Sequence, residues 1–399
     1  MKRKIVLSYS GGLDTSVMIK WLKDTYKCEV IACIVDVGQT EDFKEIKNRA
    51  KKTGAEKVYL IDAKKEFVTK FLYWAIKANA IYEKKYLLGT ALARPLISKK
   101  VIEVAKKENA WAVSHGATGK GNDQVRFDVS FRALAPGIKI IAPWREWELK
   151  SREDEIEYAK KHKIPITITP ERPYSTDENL WHISYEGGIL ENPAKEPPED
   201  IFKLTVSPEK APDKSTFIEI YFEKGIPKKI NGKNYQPVEL IKKLNKIGGK
   251  NGIGRTDIVE NRLVGIKSRG VYECPAGTIL CFAHRELEYL TLDRETFHYK
   301  EIVEQKYAEL IYYGLWFSPL KNALDKFIDE TQKYVTGTIK LKLYKGTLTV
   351  CDRKSPYSLY WQKLATFSKE DIYNQKHGEG FTKLFGLPLE VTSLLRKKQ

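Results

Sequence analysis

The run Lys4-Ile5-Val6-Leu7-Ser8-Tyr9 passes directly into Ser10-Gly11-Gly12-Leu13-Asp14-Thr15-Ser16. A short apolar strand, a turn of small residues and a helix opening near residue 13 leave few folds open to the chain that follows. Adjacent glycines let the backbone turn tightly and come close to a ligand. A helix N-terminus adds unpaired N–H groups and the positive end of a dipole, so the junction suits a phosphate or pyrophosphate. It lacks both the lysine of a G-x-x-x-x-G-K-[ST] loop and the glycine spacing of a G-x-G-x-x-G turn. A plain strand-to-helix turn is the alternative, and Ser-Gly-Gly alone would favour it; the full seven-residue string does not.

The 399 residues, 42% of them hydrophobic, suffice for two domains with their own cores. No apolar run reaches the length of a membrane span, and the basic start Met1-Lys2-Arg3-Lys4 leads into a strand rather than a signal-peptide core. Five cysteines, Cys28, Cys33, Cys274, Cys281 and Cys351, include no C-x-x-C and read as reduced thiols, with no zinc site expected. These features point to the cytoplasm. A net charge of +17 raises the question of nucleic acid. The lysines, however, are dispersed beside glutamates, as in Lys64-Lys65-Glu66 and Lys106-Lys107-Glu108, so they read as solvated helix faces. Small anionic substrates account for the sign, and neither nucleic acid nor membrane is an expected partner.

Residues 1-165 alternate strand and helix. Strands are expected at 5-7, 30-35, 57-61, 111-114 and 138-142, and helices at 13-23, 42-52, 66-82 and 92-109. The pattern predicts an α/β fold, a parallel sheet covered by helices that binds its ligand at the carboxyl ends of the strands. Pro165, Pro170, Pro173, Pro193, Pro197 and Pro198 then mark a loop-rich stretch. Beyond it an α+β domain over 166-365 is expected. Its hairpins turn at Lys224-Gly225 and Lys345-Gly346, and its helices lie at 237-247, 299-313 and 320-333. Residues 366-399 read as a polar C-terminal arm.

The second chemical signal is Ser114-His115-Gly116-Ala117-Thr118-Gly119-Lys120-Gly121-Asn122-Asp123-Gln124-Val125-Arg126-Phe127. Three glycines in six residues free backbone N–H groups to face a ligand. Thr118, Asn122, Asp123 and Arg126 bring donors and acceptors of both charges, a set suited to an amino acid's ammonium and carboxylates. His115 is read as structural.

The SGGLDTS string resembles the pyrophosphate loop of the ATP pyrophosphatases, which cleave ATP between its α and β phosphates. Further strings are Tyr86-Leu87-Leu88-Gly89-Thr90-Ala91-Leu92-Ala93-Arg94-Pro95, Asp177-Glu178-Asn179-Leu180-Trp181-His182-Ile183-Ser184-Tyr185-Glu186 and Asp257-Ile258-Val259-Glu260-Asn261-Arg262, with Lys267-Ser268-Arg269-Gly270-Val271-Tyr272-Glu273 after them. With these, the chain closely resembles the argininosuccinate synthase family from its first strand to about residue 360. The resemblance implies ATP held by Ser8, Tyr9, Ser10, Gly11, Gly12, Leu13, Asp14, Thr15, Ser16, Val35 and Gly116. It implies aspartate at Thr118, Asn122 and Asp123, and citrulline at Tyr86, Ala91, Asn122, Arg126, Ser175, Ser184, Glu260 and Tyr272. Ala91 departs from the family, which commonly has a hydroxyl there; losing one hydrogen bond costs on the order of 1 kcal/mol. The resemblance also implies a homotetramer joined through the C-terminal arm.

The implied chemistry adenylates citrulline's ureido oxygen, after which the amine of aspartate displaces AMP. It needs no protein nucleophile, only positioning and charge stabilisation. Mg²⁺ on the phosphates is the expected additional charge. Asp14, Asp123 and Arg126 are the side chains expected at the chemistry. Asp14 orients the loop or the metal, Asp123 anchors the incoming ammonium and helps take its proton, and Arg126 grips a carboxylate. The rival readings are a tRNA-modifying adenylating enzyme, which would commonly show cysteine pairs or an RNA-binding appendage, and a non-catalytic nucleotide sensor.

Overall fold

A computed structural model describes residues 2–165 and 174–396. Residues 2–357 form one compact unit and the rest of the chain a second. Pro170 and Pro173, and the expected domain boundary at 165/166, fall at or within residues outside the described set.

The first half is built from β1 (Lys4–Ser8), α1 (Leu13–Tyr26), β2 (Glu29–Asp36), α2 (Phe43–Thr53), β3 (Lys57–Asp62), α3 (Lys64–Phe67), α4 (Tyr73–Lys77), α5 (Gly89–Lys107), β4 (Ala112–Ser114), α6 (Asp123–Leu134), β5 (Lys139–Ile141) and α7 (Arg152–Lys161). All five strands run parallel in the order β3-β2-β1-β4-β5. Alternate residues enter different cores: Ile5, Leu7, Val30, Ala32 and Ile34 pack with α1, α2 and α7. Val6, Ile31, Cys33 and Val35 pack with α3, α4 and α5. A strand buried on both faces needs this unbroken apolar run, which is why β1 and β2 read so clearly. The helix expected over 66-82 is interrupted by a π-helical turn, Val68–Leu72, and ends at Lys77. The helix expected to begin at 92 begins at Gly89 and carries Pro95 inside its second turn.

The remainder of the first unit adds β6 (Ser175–Glu178), β7 (Ile183–Glu186), β8 (Thr216–Glu223), β9 (Ile226–Ile230), β10 (Lys233–Asn234), α8 (Pro237–Lys250), β11 (Arg255–Asn261), β12 (Lys267–Glu273), α9 (Pro275–Thr291), α10 (Arg294–Tyr312), α11 (Pro319–Thr331), β13 (Gly337–Tyr344) and β14 (Thr347–Lys354). They form two antiparallel sheets, β10-β9-β8-β13-β14 and β11-β12-β7-β6. Both expected two-residue hairpins are present. Lys224-Gly225 and Lys345-Gly346 all sit at positive φ, the geometry whose twist matches flanking strands. The apolar core that covers one face of the parallel sheet continues into these elements through Ile218, Ile220, Leu240, Ile279, Tyr307 and Ile339. The two expected domains therefore share one core.

Glu273, fully buried at the end of β12, ties the segment after β7 to the four-stranded sheet. Its carboxylate accepts from the backbone N–H of Lys203, Leu204 and Thr205 and from the hydroxyls of Thr205 and Tyr185, at 2.5–3.0 Å.

The second unit contains α12 (Gln362–Ala365) and α13 (His377–Arg396). The expectation of a polar arm is corrected. Phe381, Leu384, Phe385, Leu389, Leu394 and Leu395 are exposed on α13, their helical spacing concealed in the sequence by intervening Gly, Thr, Lys and Glu.

Replacing Glu273 by Ala strands five donors in an apolar interior. The expected loss is about 3–5 kcal/mol of stability, read as a lower urea midpoint at unchanged slope, with Glu273→Gln milder.

Candidate active site

Strand order reverses between β1 and β4, so the loops leaving their carboxyl ends diverge and leave a crevice. One wall is the glycine turn after β1. Gly11 stands at φ +84°, and a Cβ there would meet Ile46 Cγ2 at 2.7 Å, so only glycine fits without strain. The Arg49 guanidinium donates to the Gly11 carbonyl at 2.6 Å. Ser10 Oγ accepts from the Gly12 N–H at 3.3 Å and pairs with Thr15 Oγ1 at 3.1 Å. Tyr9 and Ser16 hydroxyls pair at 3.0 Å. Helix α1 starts at Leu13 with no side-chain cap, which leaves its first amides to a ligand.

The facing wall is the loop after β4. Ala117 N–H donates to His115 Nδ1, so Nε2 carries the proton and donates to Asp128 Oδ1 at 2.9 Å. His115 is fully buried and braces the loop from beneath. Gly116 is close enough to α1 that a Cβ would come within 2.9 Å of Thr15 Cγ2. Asp123 opens α6 and sits between two guanidiniums: Arg94 Nε donates to its Oδ2 and Arg126 Nη1 to its Oδ1, each at 2.8 Å. Burial pushes the Asp123 carboxyl up, but the attraction of Arg94 and Arg126 outweighs it and holds the group at about 2. A carboxylate so acidic binds a cation well and accepts a proton poorly.

Arg126 is itself fixed from outside the loop. Its Nε donates to the Tyr312 carbonyl at 2.9 Å. Gly314, at φ +77°, lies so near that a Cβ on it would be 2.7 Å from Arg126 Cα.

The third wall is the four-stranded sheet. Glu260 on β11 is buried and accepts from the Tyr312 hydroxyl at 2.9 Å and the Tyr272 hydroxyl at 3.1 Å. Burial raises its pKa, opposed by these hydrogen bonds and by Arg126. Tyr86 stacks on Tyr272 with ring centroids 4.4 Å apart. Register pairs Ser184 with both Tyr272 and Asp177, and Ser175 with Glu186, so these side chains come to one face.

Together the walls enclose about 720 Å³. Ser8, Tyr9, Ser10, Gly12, Asp14, Thr15, Val35, Tyr86, Gly116, Thr118, Asn122, Asp123, Arg126, Ser175, Ser184, Glu260 and Tyr272 all line it. Four of the expected site residues do not. Gly11 and Ser16 support the turn from behind, Leu13 packs against the core beneath α1, and Ala91 is fully buried in the other core. Along α5, Thr90 and Arg94 are four residues apart and share the cavity face; Ala91, one position on, is turned away.

Sequence reasoning quoted Thr90, Arg94, Asp177, Glu186 and Arg262 within its strings but gave them no role, and all five line the cavity. Thr90 Oγ1 donates to Asp177 Oδ2 at 2.6 Å and accepts from His182 Nε2 at 3.1 Å. Burial holds His182 down at about 4, so it is neutral at physiological pH. Glu41, also on the wall, is pushed up to about 6 by burial and by Glu178 and Asp177. No group of three or more His, Cys, Asp or Glu able to hold a metal occurs among the described residues.

Residues 4–165 match the model of the arginosuccinate synthase N-terminal HUP domain, and residues 174–392 that of the arginosuccinate synthase C-terminal domain. The chain belongs to the argininosuccinate synthase family. It is 64% identical over 392 residues to the argininosuccinate synthase of Caldanaerobacter subterraneus, spanning 98% of this chain and 96% of that one. Identity to the enzymes of Endomicrobium trichonymphae and Acetivibrio thermocellus is 61%, over 397 and 398 residues, covering all of this chain and 96% and 98% of theirs. As a member of the argininosuccinate synthase family the chain is a ligase that uses ATP, and its parallel sheet is the HUP domain.

Gly116→Ala is expected to push Thr15 and the turn after β1 out of place. The KM for ATP should rise roughly ten- to a hundredfold with the fold intact, measured by initial rates beside a thermal melt.

Proposed function

We propose that this cavity carries out the ligation of citrulline and aspartate, with ATP giving AMP and pyrophosphate and with argininosuccinate as product. The observation that carries the reading is the meeting of three chemically distinct walls in one cavity: an uncapped helix start, a loop with paired charges, and a sheet face holding a buried carboxylate between tyrosines.

In this reading the diphosphate end of ATP lies on the turn from Ser8 to Thr15, where first-turn amides and small hydroxyls meet its charge. Val35 and Gly116 line the nucleotide's path. Citrulline's ammonium goes to Glu260, ringed by Tyr272 and Tyr312, and its carboxylate toward Arg126, with Tyr86, Ser175, Ser184 and Asn122 around its length. The ureido oxygen then attacks the α-phosphorus, the bond to the bridging oxygen breaks, and pyrophosphate departs. The resulting isourea carbon carries AMP as leaving group. The amine of aspartate, anchored near Thr118, Asn122 and Asp123, adds to that carbon; AMP leaves with the C–O electrons and the amine loses a proton. The AMP phosphate or the Asp123 carboxylate takes that proton.

Mg²⁺ fits this donor set only as an ion borne on the phosphates, because the described residues offer no cage and Asp14 is the turn's one carboxylate on the wall. Asp14 would face it, and bound there the ion supplies neutralisation of developing phosphate charge. A homotetramer and a cytoplasmic location belong to the same reading. The exposed apolar side chains of α13 support the first. Among the described residues no helix is long and apolar enough to cross a membrane.

Pyrophosphate release from ATP is expected only with citrulline present, and sustained turnover only with both citrulline and aspartate. Release that ignores citrulline, or that rises with tRNA, overturns the reading. Asp123→Asn should raise the KM for aspartate at least about tenfold while the KM for ATP moves less than about threefold.

A further inference from the structure

The proposed reaction leaves both carboxylates of aspartate without a cation. Aspartate brings an ammonium and two carboxylates, whereas Thr118, Asn122 and Asp123 offer one anion and two neutral side chains. Arg126 is engaged on the citrulline side and is pinned to the Tyr312 carbonyl. A carboxylate entering a partly buried cavity requires a cation or several aligned donors.

Arg94 supplies a cation for one of them. It projects from α5 four residues after Thr90, and its side chain is only 16% exposed yet lines the cavity. Nε lies 2.8 Å from Asp123 Oδ2 and Nη2 lies 3.0 Å from Asp177 Oδ1. Nη1 has no hydrogen-bond partner among the described residues. Burial would disfavour the charge, but Asp123 and Asp177 together secure it. Asp177 is secured in turn by the Thr90 hydroxyl and belongs to the strand that carries Ser175.

Resting on the function proposed above, we infer that Arg94, steered by Asp177, is the receptor for a carboxylate of the amine substrate and the residue that selects a dicarboxylic amino acid. In their pairing the guanidinium and the Asp123 carboxylate hold each other as the substrate's carboxylate and ammonium would. On binding, the ammonium takes over Asp123 Oδ2. Nε–H is released together with the Nη2 hydrogen beside it, and this edge forms two parallel N–H···O bonds while the other Nη2 hydrogen stays on Asp177. A planar fork held at one corner suits such an exchange; a lysine, with a single point of charge, does not.

The competing role is a brace that merely neutralises buried Asp123. Full-length Arg94→Lys, Arg94→Gln and Asp177→Asn separate the two, using KM values for all three substrates, turnover with asparagine in place of aspartate, and thermal melts. Arg94→Lys is expected to raise the KM for aspartate about 10- to 100-fold, with ATP and citrulline KM changed less than about threefold. Arg94→Gln should cut the preference for aspartate over asparagine by about a hundredfold or more, since an amide no longer meets an unpaired guanidinium. Asp177→Asn should move aspartate KM the same way by a smaller factor. Unchanged discrimination between aspartate and asparagine in Arg94→Gln overturns the inference. So does an equal rise in all three KM values, or a variant whose only defect is a lower melting temperature. Wild-type turnover that does not depend on aspartate would instead defeat the proposed function beneath it.

Discussion

The parallel pairing of β1 with β4 is the constraint on which the site depends. Leu7 opposite Ser114 fixes the two strand ends at one level, and the chain has already left β1 for β2 and β3 on the other side. Two loops that are a hundred residues apart in sequence must then face each other across the gap. Everything else is added to that crevice: α5 runs beneath it carrying Thr90 and Arg94, and the four-stranded sheet closes its third side with Ser184, Glu260 and Tyr272. Because the two halves share a continuous apolar core, the sheet face is held against the crevice by the same packing that holds the protein folded.

The cavity also shows how buried charge is managed where no side chain acts as nucleophile. Asp123 is balanced by two guanidiniums, Arg94 by two carboxylates, Glu260 by two phenolic hydroxyls, and Arg262 by Glu186. Each charge has an opposite charge or hydrogen-bond partner in the wall itself, so its desolvation is largely offset by the protein. Substrates then enter by exchanging partners rather than by stranding charges, which keeps the reorganisation small.

Legibility in the sequence followed the strength of local signals. β1 and β2 were clear because a doubly covered strand demands a run of apolar residues, and the hairpins at Lys224-Gly225 and Lys345-Gly346 because alternating residues flank a glycine that tolerates positive φ. The four-stranded sheet was not read as strands, since Arg255–Asn261 and Lys267–Glu273 are charged and their pairing is decided by distant partners. Helix α9 was likewise not anticipated. Most cavity residues were legible through glycine-rich strings and family resemblance. Arg94 and Asp177 acquired a meaning only when α5 and β6 were brought together, for an arginine on a helix and an aspartate on a strand carry no individual signature. The exposed leucines and phenylalanines of α13 were masked by the small and polar residues between them.

Gly314 shows how far such a site can depend on something that is not there. With the room for its Cβ already taken by the backbone of Arg126, the turn after α10 is pressed directly on the first coils of α6. Any larger residue at 314 would act as a wedge, tilting the helix that bears Asp123 and Arg126 without altering a single functional group. Drift in substrate preference is thus as open to a change of bulk at this remote corner as to a change of chemistry on the wall, and a redesign that keeps every polar group intact must still respect this one missing methyl.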